Sequence, residues 1–584
     1  MENLAIARIL GEIAALLELG AENPFKIRAY RSGAEIVADC PERLATFTDA
    51  QIRELPGIGK DLAGRIREII DTGTCAYHQE LLQRFPPTIL DLLRLQGLGP
   101  KTVALLYSSL NIRSIDELEQ AATSGALRSL KGMGAKKEAS ILKAIADHRL
   151  HTGRHLLADA ATVADALVAY LQAHSPDAQI ETVGSVRRGA DTSGDIDILA
   201  CGAAPGLMAH FTSYHLVERI LGQGDTKSSV LLWKGYQADL RTVPAESRGA
   251  ALQYFTGSKA HNIAMRQRAL DRKLTLNEYG LFDGHIRLAG DTEEGIYAAL
   301  GLAWVPPALR ENRGEIAAAE AGSLPRLIEQ ADLRGDVHMH STETDGRDTI
   351  EAMADAARAL GLEYIAITDH SQSLAMANGL DEARALAHAR RIRELNDRLD
   401  GITLLAGIEC DIRADGTMDL ADDCLAQLDL VIGSVHSAFN QESAQMTDRL
   451  LRAIECPWVD VIGHPTGRLV LRREPYHYNL EAVLAAAARH GVAMEINSQV
   501  DRLDLSDINA RHAKQRGVKL VLSSDAHSQK ALAVTRWGVL TARRAWLEAG
   551  DVLNTQSVDA FRQSLRRARP RPPAAASIPS ATSV

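Results

Sequence analysis

The chain has 584 residues, of which 46% are hydrophobic and 24% charged. This is typical of globular protein and too long for one hydrophobic core, so we expect about three to five domains. Runs of about 18 uncharged apolar residues do not occur, and the six scattered cysteines form no CxxC pair, which argues against a membrane span, a zinc ribbon or a disulfide framework. The net charge of −10 does not exclude a polyanionic substrate, because carboxylates that hold metal ions also make a chain acidic.

The first twenty residues carry three glutamates, so they predict an amphipathic helix and not a signal peptide. With the cysteine pattern, this favours a cytoplasmic protein that makes no contact with a membrane.

Residues 1–150 have apolar residues at helical spacing, and one short phrase recurs in them. Its copies are LPGIGKDLAGRI (55–66), LQGLGPKTVALL (95–106) and LKGMGAKKEASIL (130–142). A Gly-x-Gly turn before a helix exposes backbone N–H groups that can hold a DNA phosphate. A single copy would equally be a tight turn between packed helices, but three copies favour DNA binding. The candidate contacts are Gly57, Gly59, Lys60, Gly97, Gly99 and Lys101.

The stretch VGSVRRGADTSGDIDIL (183–199) predicts a site for nucleotidyl transfer. Gly184 and Ser185 should begin a helix whose N–H groups, with an arginine, cradle a triphosphate. Asp195 and Asp197 are two residues apart in a β-branched run, so on a strand both carboxylates lie on one face. An Asp-x-Asp pair alone is usually a solvated turn. Here Asp239 in a later strand completes the set that two cations about 4 Å apart need.

The second half has potential metal ligands that directly follow short apolar runs typical of buried parallel strands. Ligands at the carboxyl ends of many strands are what a (β/α) barrel presents on one face. A lone histidine after a strand is usually an ordinary loop residue, so the argument depends on the repeated position beside acids. We predict that His388, His477, His490 and His512 are surface residues. The candidate ligands are His338, His340, Asp345, His370, Glu409, His436, His464, Asp525 and His527.

Residues 1–320 resemble the family X DNA polymerases, since GSVRRG, GDIDIL, ADLR, YFTGSKAHNIAMRQRA and LNEYGLF occur in the family's order. The resemblance implies that Asp195, Asp197 and Asp239 bind Mg²⁺ or Mn²⁺ and that Asp239 accepts the primer proton. It implies substrates of gapped or primer–template DNA and deoxynucleoside triphosphates. The implied nucleotide contacts are Gly184, Ser185 and Arg188 at the triphosphate, Tyr254, Phe255 and Gly257 at the sugar, and Asn262 and Arg266 at the nascent pair and template.

The segment NPFKIRAYRSG (23–33) resembles the part of these polymerases that holds a downstream 5′-phosphate. Lys26, Tyr30 and Arg31 are the candidates, and a solvated basic helix face is the alternative. The chain has Arg65 where lyase-competent relatives carry a Schiff-base lysine. Because a guanidinium stays protonated and forms no imine, we expect no strong lyase activity through that position.

Residues 333–567 resemble the PHP (polymerase and histidinol phosphatase) family, which has a distorted (β/α)₇ barrel and three metal ions. The resemblance implies that one metal takes His338, His340, Glu409 and Asp525, a second shares Glu409 and adds His436 and His464, and the third takes Asp345, His370 and His527. Mn²⁺, Zn²⁺ and Fe²⁺ all suit such ligands, with Mn²⁺ or Zn²⁺ favoured. The implied activity is 3′→5′ exonuclease, and 3′-phosphatase and abasic-site endonuclease action stay open.

The predicted fold is multidomain: all-α helix-hairpin-helix domains, an α+β palm and thumb, and an α/β barrel. The chain is predicted to be a monomeric DNA polymerase that fills short gaps in base excision repair and carries a phosphoesterase in the same chain. The alternatives are a PHP phosphatase or nuclease with a non-catalytic first half, and a DNA-end scaffold. The predicted boundaries are 1–85 (DNA 5′-end-binding), 86–150 (fingers-like), 151–245 (palm), 246–310 (thumb), 311–332 (linker), 333–567 (PHP) and 568–584 (disordered tail).

Overall fold

The computed structural model describes residues 3–566 except 21, 40–43, 56, 87, 94, 96–97, 131 and 152. Gly97 and the predicted disordered tail therefore lie outside the described residues. None of the helices in the described part is long and apolar enough to cross a membrane. The chain divides into two compact units: Met1–Gly153 with Thr212–Leu221 and Val230–Gly235, and Arg154–Phe211 with Gly222–Ser229 and Tyr236–Val584.

The N-terminal region is all helical, as its apolar periodicity predicts. Its helices are α1 (Asn3–Leu19), α2 (Pro24–Asp39), α3 (Asp49–Glu54), α4 (Lys60–Thr72), α5 (Ala76–Arg84), α6 (Ile89–Leu92), α7 (Pro100–Leu110), α8 (Ile115–Thr123) and α9 (Ala135–His151). They enclose one apolar core to which α1 contributes a continuous buried face. In each glycine repeat, the backbone N–H of the residue between the two glycines donates to the carbonyl of the leucine three residues earlier. These bonds join Ile58 to Leu55 (3.0 Å), Leu98 to Leu95 (3.2 Å) and Met133 to Leu130 (3.0 Å).

The palm is an α+β domain built on a sheet in which β2 pairs antiparallel with β4, and β4 pairs parallel with β7. Its strands are β1 (His155–Leu156), β2 (Gln179–Thr182), β3 (Thr192–Ser193), β4 (Asp195–Cys201), β5 (Val217–Gln223), β6 (Lys227–Leu232) and β7 (Tyr236–Val243). Its helices are α10 (Leu157–His174), α11 (Gly184–Arg187) and α12 (Leu207–Thr212).

The thumb has three helices and a small antiparallel sheet. These elements are α13 (Arg248–Thr256), α14 (Lys259–Asp271), β8 (Thr275–Asn277), β9 (Gly280–Asp283), β10 (Ile286–Ala289) and α15 (Glu293–Ala299). Side-chain caps from Ser258 and Thr292 begin α14 and α15.

The segment 311–332, which we predicted to be a linker, differs from that prediction because it packs into the thumb. It contains helix α16 (Glu315–Glu320), and Ala319 and Leu327 belong to the thumb's buried core. Glu315 is fully buried and lies 2.6 Å from His261 Nδ1. A sequence pattern does not distinguish a buried, paired glutamate such as Glu315 from one in solvent.

The C-terminal domain is a barrel of seven parallel strands in chain order. The strands are β11 (Gly335–Asp336), β12 (Tyr364–Ile367), β13 (Thr403–Asp411), β14 (Leu430–Ser434), β15 (Val461–Ile462), β16 (Ala493–Asn497) and β17 (Leu520–Ser523). The helices are α17 (Ile350–Ala359), α18 (Glu382–Asn396), α19 (Asp422–Leu425), α20 (Ser443–Glu455), α21 (Leu480–His490), α22 (Asp507–Gln515), α23 (Thr535–Arg544) and α24 (Val558–Ser564).

The barrel is nearly closed between its first and last strands. A parallel bridge joins Met339 to Ala526 beyond the named strands, and Ser524 N donates to Asp336 Oδ1 at 3.1 Å. The strands are buried on both faces, which explains their unbroken apolar runs. Because the strands are parallel, their carboxyl ends all meet at one end of the barrel.

Candidate active sites

The palm brings the three predicted carboxylates onto one face of its sheet. Asp197 on β4 is the register partner of Asp239 on the parallel strand β7, and Asp195 is two residues before Asp197. Side chains of register partners, and of residues i and i+2, share a sheet face. Among the groups of described residues whose ligand atoms all lie within 4.8 Å of one another, these three carboxylates do not form one.

Burial and charge repulsion act together on this carboxylate face. Burial, with the charges of Asp195 and Asp239, raises the pKa of Asp197 to about 7, although Lys227 and Arg188 act in the opposite direction. Lys227 Nζ lies 2.9 Å from Asp239 Oδ2. The face thus has more negative charge than its neighbours neutralise, which is what a site for divalent cations requires.

The predicted triphosphate turn lies directly against this face. Gly184 has φ +64°, and a Cβ there would be 2.2 Å from Asp197 Oδ2, so glycine is needed for both conformation and space. Ser185 Oγ is 2.6 Å from Ser193 Oγ. Val183 N donates to Asp197 O at 2.8 Å and ties the turn to β4.

The two arginines of the turn have different partners. Arg187 makes a bidentate pair with Glu293 at 2.9 Å for both bonds, and Glu293 also pairs with the buried Arg310. Arg188 donates from Nε to Glu311 at 2.9 Å and from Nη1 to Thr256 O at 2.8 Å. Arg187 is therefore part of the internal scaffold, whereas Arg188 Nη2 makes no hydrogen bond to the residues that the structure describes.

The predicted sugar pocket is organised by Asn262. Its amide nitrogen donates to Tyr254 O at 2.6 Å and to Gly257 O at 3.1 Å. A Cβ at Gly257 would lie 2.5 Å from Asn262 Oδ1, so this close approach also requires glycine. Phe255 packs beside the palm core with Arg241 5.3 Å above its ring. Arg266 is exposed on the next turn of α14.

All nine predicted ligands of the second site converge at the carboxyl end of the barrel. Glu409, near the end of β13, is central: its oxygens lie within 4 Å of five imidazoles. The closest is His370 Nδ1 at 2.8 Å, followed by His464 Nε2 at 3.0 Å. Burial opposes its charge, but the imidazoles of His436, His338 and His370 outweigh burial and hold the pKa of Glu409 well below its usual value.

The ligand atoms form three overlapping groups of a size suited to metal ions. The groups are His340, Asp345, His370 and His527; His338, His340 and Asp525; and His370, Glu409 and His436. His340 and His370 each belong to two groups, whereas the family pattern assigns each to one metal.

The chemistry of the buried atoms fits bound cations. In the part of the chain that the structure describes, His338 Nε2 and His340 Nδ1 are buried without a hydrogen-bond partner. An unpaired buried polar atom is costly, and a coordinated metal ion removes that cost. The side chains of Asp345 and His527 are 36% and 38% exposed, so this edge of the site is open to a substrate.

A second set of carboxylates, which the sequence pattern did not indicate, orients the candidate ligands. Buried Glu495 is 2.7 Å from His338 Nδ1 and accepts hydrogen bonds from His464 N and Ser523 Oγ. Asp411 is 2.6 Å from His436 Nδ1. Such contacts fix the tautomer of a ligating imidazole. The only available signal was a carboxylate within or just after an apolar strand.

The prediction that His388 is a surface residue was wrong. His388 is buried and its Nε2 is 2.9 Å from Asp369 Oδ2. Asp369 also accepts from Ser341 N at 2.8 Å and so holds the loop that leads to Asp345. The charged context of helix α18 concealed this inward-facing position. Among the other three, His477 is exposed and His490 and His512 are half-buried.

Two ligands have a backbone conformation that side chains rarely adopt. His464 has φ +25° and Asp525 has φ +51°. Asn497 Nδ2 donates to Asp525 Oδ2 at 3.0 Å, and Gln499 Nε2 donates to Asp525 O at 2.8 Å. Strain of this kind persists where surrounding contacts enforce it, and it is concentrated at functional sites.

The residues predicted to hold a 5′-phosphate lie on α2 in varied settings. Lys26 Nζ donates to Tyr77 OH at 2.7 Å, and Arg31 pairs with Glu18 at 2.5 Å. Tyr30 is only 2% exposed and packs in the helical core. Arg65 lines a surface pocket beside Lys60.

The glycine turns give α4 and α7 their N-termini. Gly59 and Gly99 are the N-cap residues of these helices, and Gly57 has φ +85°. Lys60 and Lys101, in the first turns, are exposed.

Comparison with known proteins gives matches along most of the chain. The matching family models are a helix-hairpin-helix domain (1–75), a SAM-like helix-hairpin-helix tandem (89–147), the DNA polymerase beta palm (158–224), the DNA polymerase beta thumb (251–311) and the PHP domain (336–499).

Similar proteins fall into two kinds. DNA polymerase/3′-5′ exonuclease PolX of Bacillus subtilis (strain 168) is 36% identical over 97% of this chain and 100% of its own length. A probable phosphatase of Shewanella sp. (strain ANA-3) is 34% identical over 33% of this chain and 75% of its own length. One from Thermoanaerobacter sp. (strain X514) is 30% identical over 38% of this chain and 89% of its own length. The full-length match, with palm, thumb and barrel in one order, shows that the chain belongs to the family X DNA polymerases that carry a C-terminal PHP domain.

Proposed function

We propose that the chain is a DNA-directed DNA polymerase with 3′→5′ exonuclease activity, and that both activities act on a DNA 3′ terminus. The observation that carries the proposal is the presence of two separate acidic sites in one chain: the carboxylate face of the palm and the histidine–carboxylate ring of the barrel. The full-length relative is named for both activities.

In the palm, Asp195, Asp197 and Asp239 would hold two Mg²⁺ or Mn²⁺ ions. Such ions supply activation of the primer hydroxyl and neutralisation of triphosphate charge. Asp239 would accept the primer proton. Lys227, which lies 2.9 Å from Asp239, would give up that contact when a cation binds. Gly184, Ser185 and Arg188 would hold the triphosphate. Tyr254, Phe255 and Gly257 would face the sugar, with Asn262 and Arg266 near the base pair.

In the barrel, the nine converging ligands would hold three divalent ions, with Mn²⁺ or Zn²⁺ proposed. Bound there, the ions supply an activated water and charge neutralisation at a phosphoester. The chain's own residues orient the imidazoles through Glu495 and Asp411 and leave the edge at Asp345 and His527 open to the terminal phosphate.

The DNA contacts are proposed from the glycine turns. Backbone N–H groups at Gly57, Gly59, Gly97 and Gly99 would bind phosphates on either side of a gap, because helix N-termini attract anions. Lys60 and Lys101 would add charge, and Lys26, Tyr30 and Arg31 would form or support the site for a downstream 5′-phosphate.

The wider role is proposed to be the filling of short gaps in base excision repair by a cytoplasmic monomer. The five described cysteines are free thiols, consistent with a reducing compartment. Deoxynucleoside triphosphates and gapped DNA are the proposed partners.

The test uses a 5′-labelled primer on gapped duplex DNA with a downstream 5′-phosphate and Mn²⁺, with and without deoxynucleotides. We expect the wild-type protein to extend the primer with nucleotides and shorten it without them. Asp239→Asn should lose extension by roughly 100-fold or more and keep shortening, whereas Glu409→Gln should do the reverse. Asp283→Asn, an exposed carboxylate in the thumb, serves as the control.

Loss of both activities in either variant would contradict the assignment of one activity to each site. A protein that shortens but never extends is a nuclease with a DNA-holding first half. A protein that does neither on DNA but hydrolyses small phosphate esters is a phosphatase. Retention of all behaviour in both variants would instead indicate a scaffold.

A further inference from the structure

The PHP domain covers the part of the palm that forms the triphosphate turn. Gly189, at the end of the turn, approaches α23 so closely that a Cβ would lie 3.1 Å from Leu540 Cβ. Leu157 and Ala161 of α10 form one buried apolar cluster with Leu503 and Trp537 of the PHP domain. Helix α23 is therefore structural support for the turn as well as part of the barrel's outer layer.

One side chain from this helix reaches the arginine of the turn. Arg544 Nη1 donates to Glu311 Oε1 at 2.8 Å and to the backbone oxygen of Arg188 at 3.2 Å. The same Glu311 oxygen accepts from Arg188 Nε at 2.9 Å. A single carboxylate oxygen thus joins a guanidinium of the PHP domain to the guanidinium proposed to bind the triphosphate.

Arg544 is itself held rigidly. Its Nη2 pairs with Asp507 at 2.9 Å, and Asp507 also pairs with Arg313 at 2.8 Å. The Arg544 side chain is 7% exposed. Burial opposes its charge, but Asp507 and Glu311 outweigh burial and raise the pKa of Arg544, so it remains a cation. A buried, doubly paired guanidinium has one geometry, which it imposes on its neighbours.

The shared carboxylate fixes the position of the arginine of the turn. Glu311 holds Arg188 through its Nε, and Arg544 holds the same oxygen of Glu311, while the bond from Arg544 to Arg188 O fixes the backbone of the turn. Arg188 Nη2 makes no hydrogen bond to the described residues and remains available.

We propose that Arg544 is a positioning residue for the incoming nucleotide, so that the PHP domain completes the nucleotide site of the palm without touching the nucleotide. The inference rests on the proposed role of Arg188 in triphosphate binding. It assigns to the PHP domain a function in DNA synthesis that is separate from its own metal site.

The test is steady-state single-nucleotide gap filling by the full-length protein. We expect Arg544→Gln to raise KM for the deoxynucleotide about tenfold, with kcat and KM for gapped DNA changed less than about twofold. Arg544→Lys should raise KM less than Arg544→Gln does, because an ammonium group keeps the charge but not the planar set of donors of a guanidinium. The matched control is Arg536→Gln on the same helix, whose exposed guanidinium stacks 4.3 Å above Trp537.

Primer shortening by the same preparations reports whether the barrel is folded. Arg188→Gln separates the inference from its premise. If Arg188→Gln raises KM for the nucleotide and Arg544→Gln does not, the inference is overturned and the function of Arg188 stands. If neither raises it, the role of Arg188 is wrong and the inference falls with it. If Arg544→Gln also loses shortening, its barrel is not intact, and Glu311→Ala tests the same link from the thumb side. A KM for the deoxynucleotide that rises about fivefold in Glu311→Ala supports the inference, and an unchanged or lower KM overturns it.

Discussion

At the scale of single residues, the chemistry of the barrel depends on side chains that hold the ligands as well as on the ligands. Glu495 contacts two separate ligand segments, through His338 Nδ1 and the backbone N–H of His464. It therefore fixes the orientation of one imidazole and the position of another.

We predict that Glu495→Gln weakens metal binding at the barrel about 10- to 100-fold, because an amide can donate as well as accept and so does not fix the tautomer of His338 as a carboxylate does. The Mn²⁺ concentration needed for half-maximal primer shortening should rise, and primer extension should not change. Glu474→Gln, an exposed glutamate of the same domain, is the matched control. An unaltered Mn²⁺ requirement would show that Glu495 only fills space.

We could expect the nine candidate ligands to lie together, because most of them follow a short apolar run and strand ends meet at one face of a parallel barrel. The role of Glu495 could not be predicted, since a glutamate inside a strand gives no sign of which histidine it contacts. The pairing of His388 with Asp369 was missed for the same reason: it joins a helix to a strand end through space. Sequence patterns show which residues can react, but the contacts that orient them are three-dimensional.

At the scale of elements, the predicted triphosphate turn packs closely against β4 because Gly184 has no side chain. Gly184 must have a positive φ and must leave room for Asp197 Oδ2. The pattern of Gly-Ser followed by two arginines predicted the turn, but it did not predict this contact.

We predict that Gly184→Ala lowers nucleotide incorporation by about 100-fold, because a displacement of the turn or of Asp197 by about 1 Å moves the triphosphate out of line. Single-nucleotide insertion kinetics measure the loss, and primer shortening should persist. Gly222→Ala is the matched control, since a Cβ there meets nothing within 4 Å and its φ is ordinary. Normal insertion by Gly184→Ala would mean that the turn does not hold the nucleotide.

The segment 311–332 shows where element prediction from sequence reaches its limit. Proline, glycine and charged residues indicate a linker, yet Glu315 is in a fully buried pair and Glu311 in a half-buried one. A charged residue that is paired inside the protein cannot be told from a solvated one by amino-acid composition.

At the scale of the whole molecule, most of the palm forms one compact unit with the thumb and the PHP domain, and buried ion pairs lie within it. Glu293 illustrates the electrostatic balance: burial opposes its charge, but Arg187 and Arg310 outweigh burial and lower the pKa of Glu293 from 4.5 to about 2. Glu311 and Asp507 also have lowered pKa values, because nearby arginines overcome the effect of burial.

We predict that this unit loses stability in acid. A carboxyl whose pKa is lower when folded stabilises the protein fully above its unfolded pKa, and that contribution is lost as pH falls from about 4.5 through 2. For Glu293 it is about 3 kcal/mol. Thermal unfolding followed between pH 7 and pH 3 should show Glu293→Gln less stable at neutral pH and less sensitive to acid than wild type. The exposed neighbour variant Glu294→Gln should keep the wild-type profile, and an identical acid profile for Glu293→Gln would contradict the prediction.

The order of domains could be predicted from motifs, because each motif is local. The packing of α23 on the palm could not, since nothing in RWGVLTARR distinguishes a helix face that meets solvent from one that meets another domain.

The contact between Gly189 and Leu540 has a consequence for how such genes change over time. A PHP domain without a palm would have no such contact to keep. In this chain a substitution on the palm side of the contact must be matched by one on the PHP side. A PHP domain taken from a distant relative would lack the residues that fit this palm. The two halves should therefore be inherited together, and the relative that matches 97% of this chain has kept both.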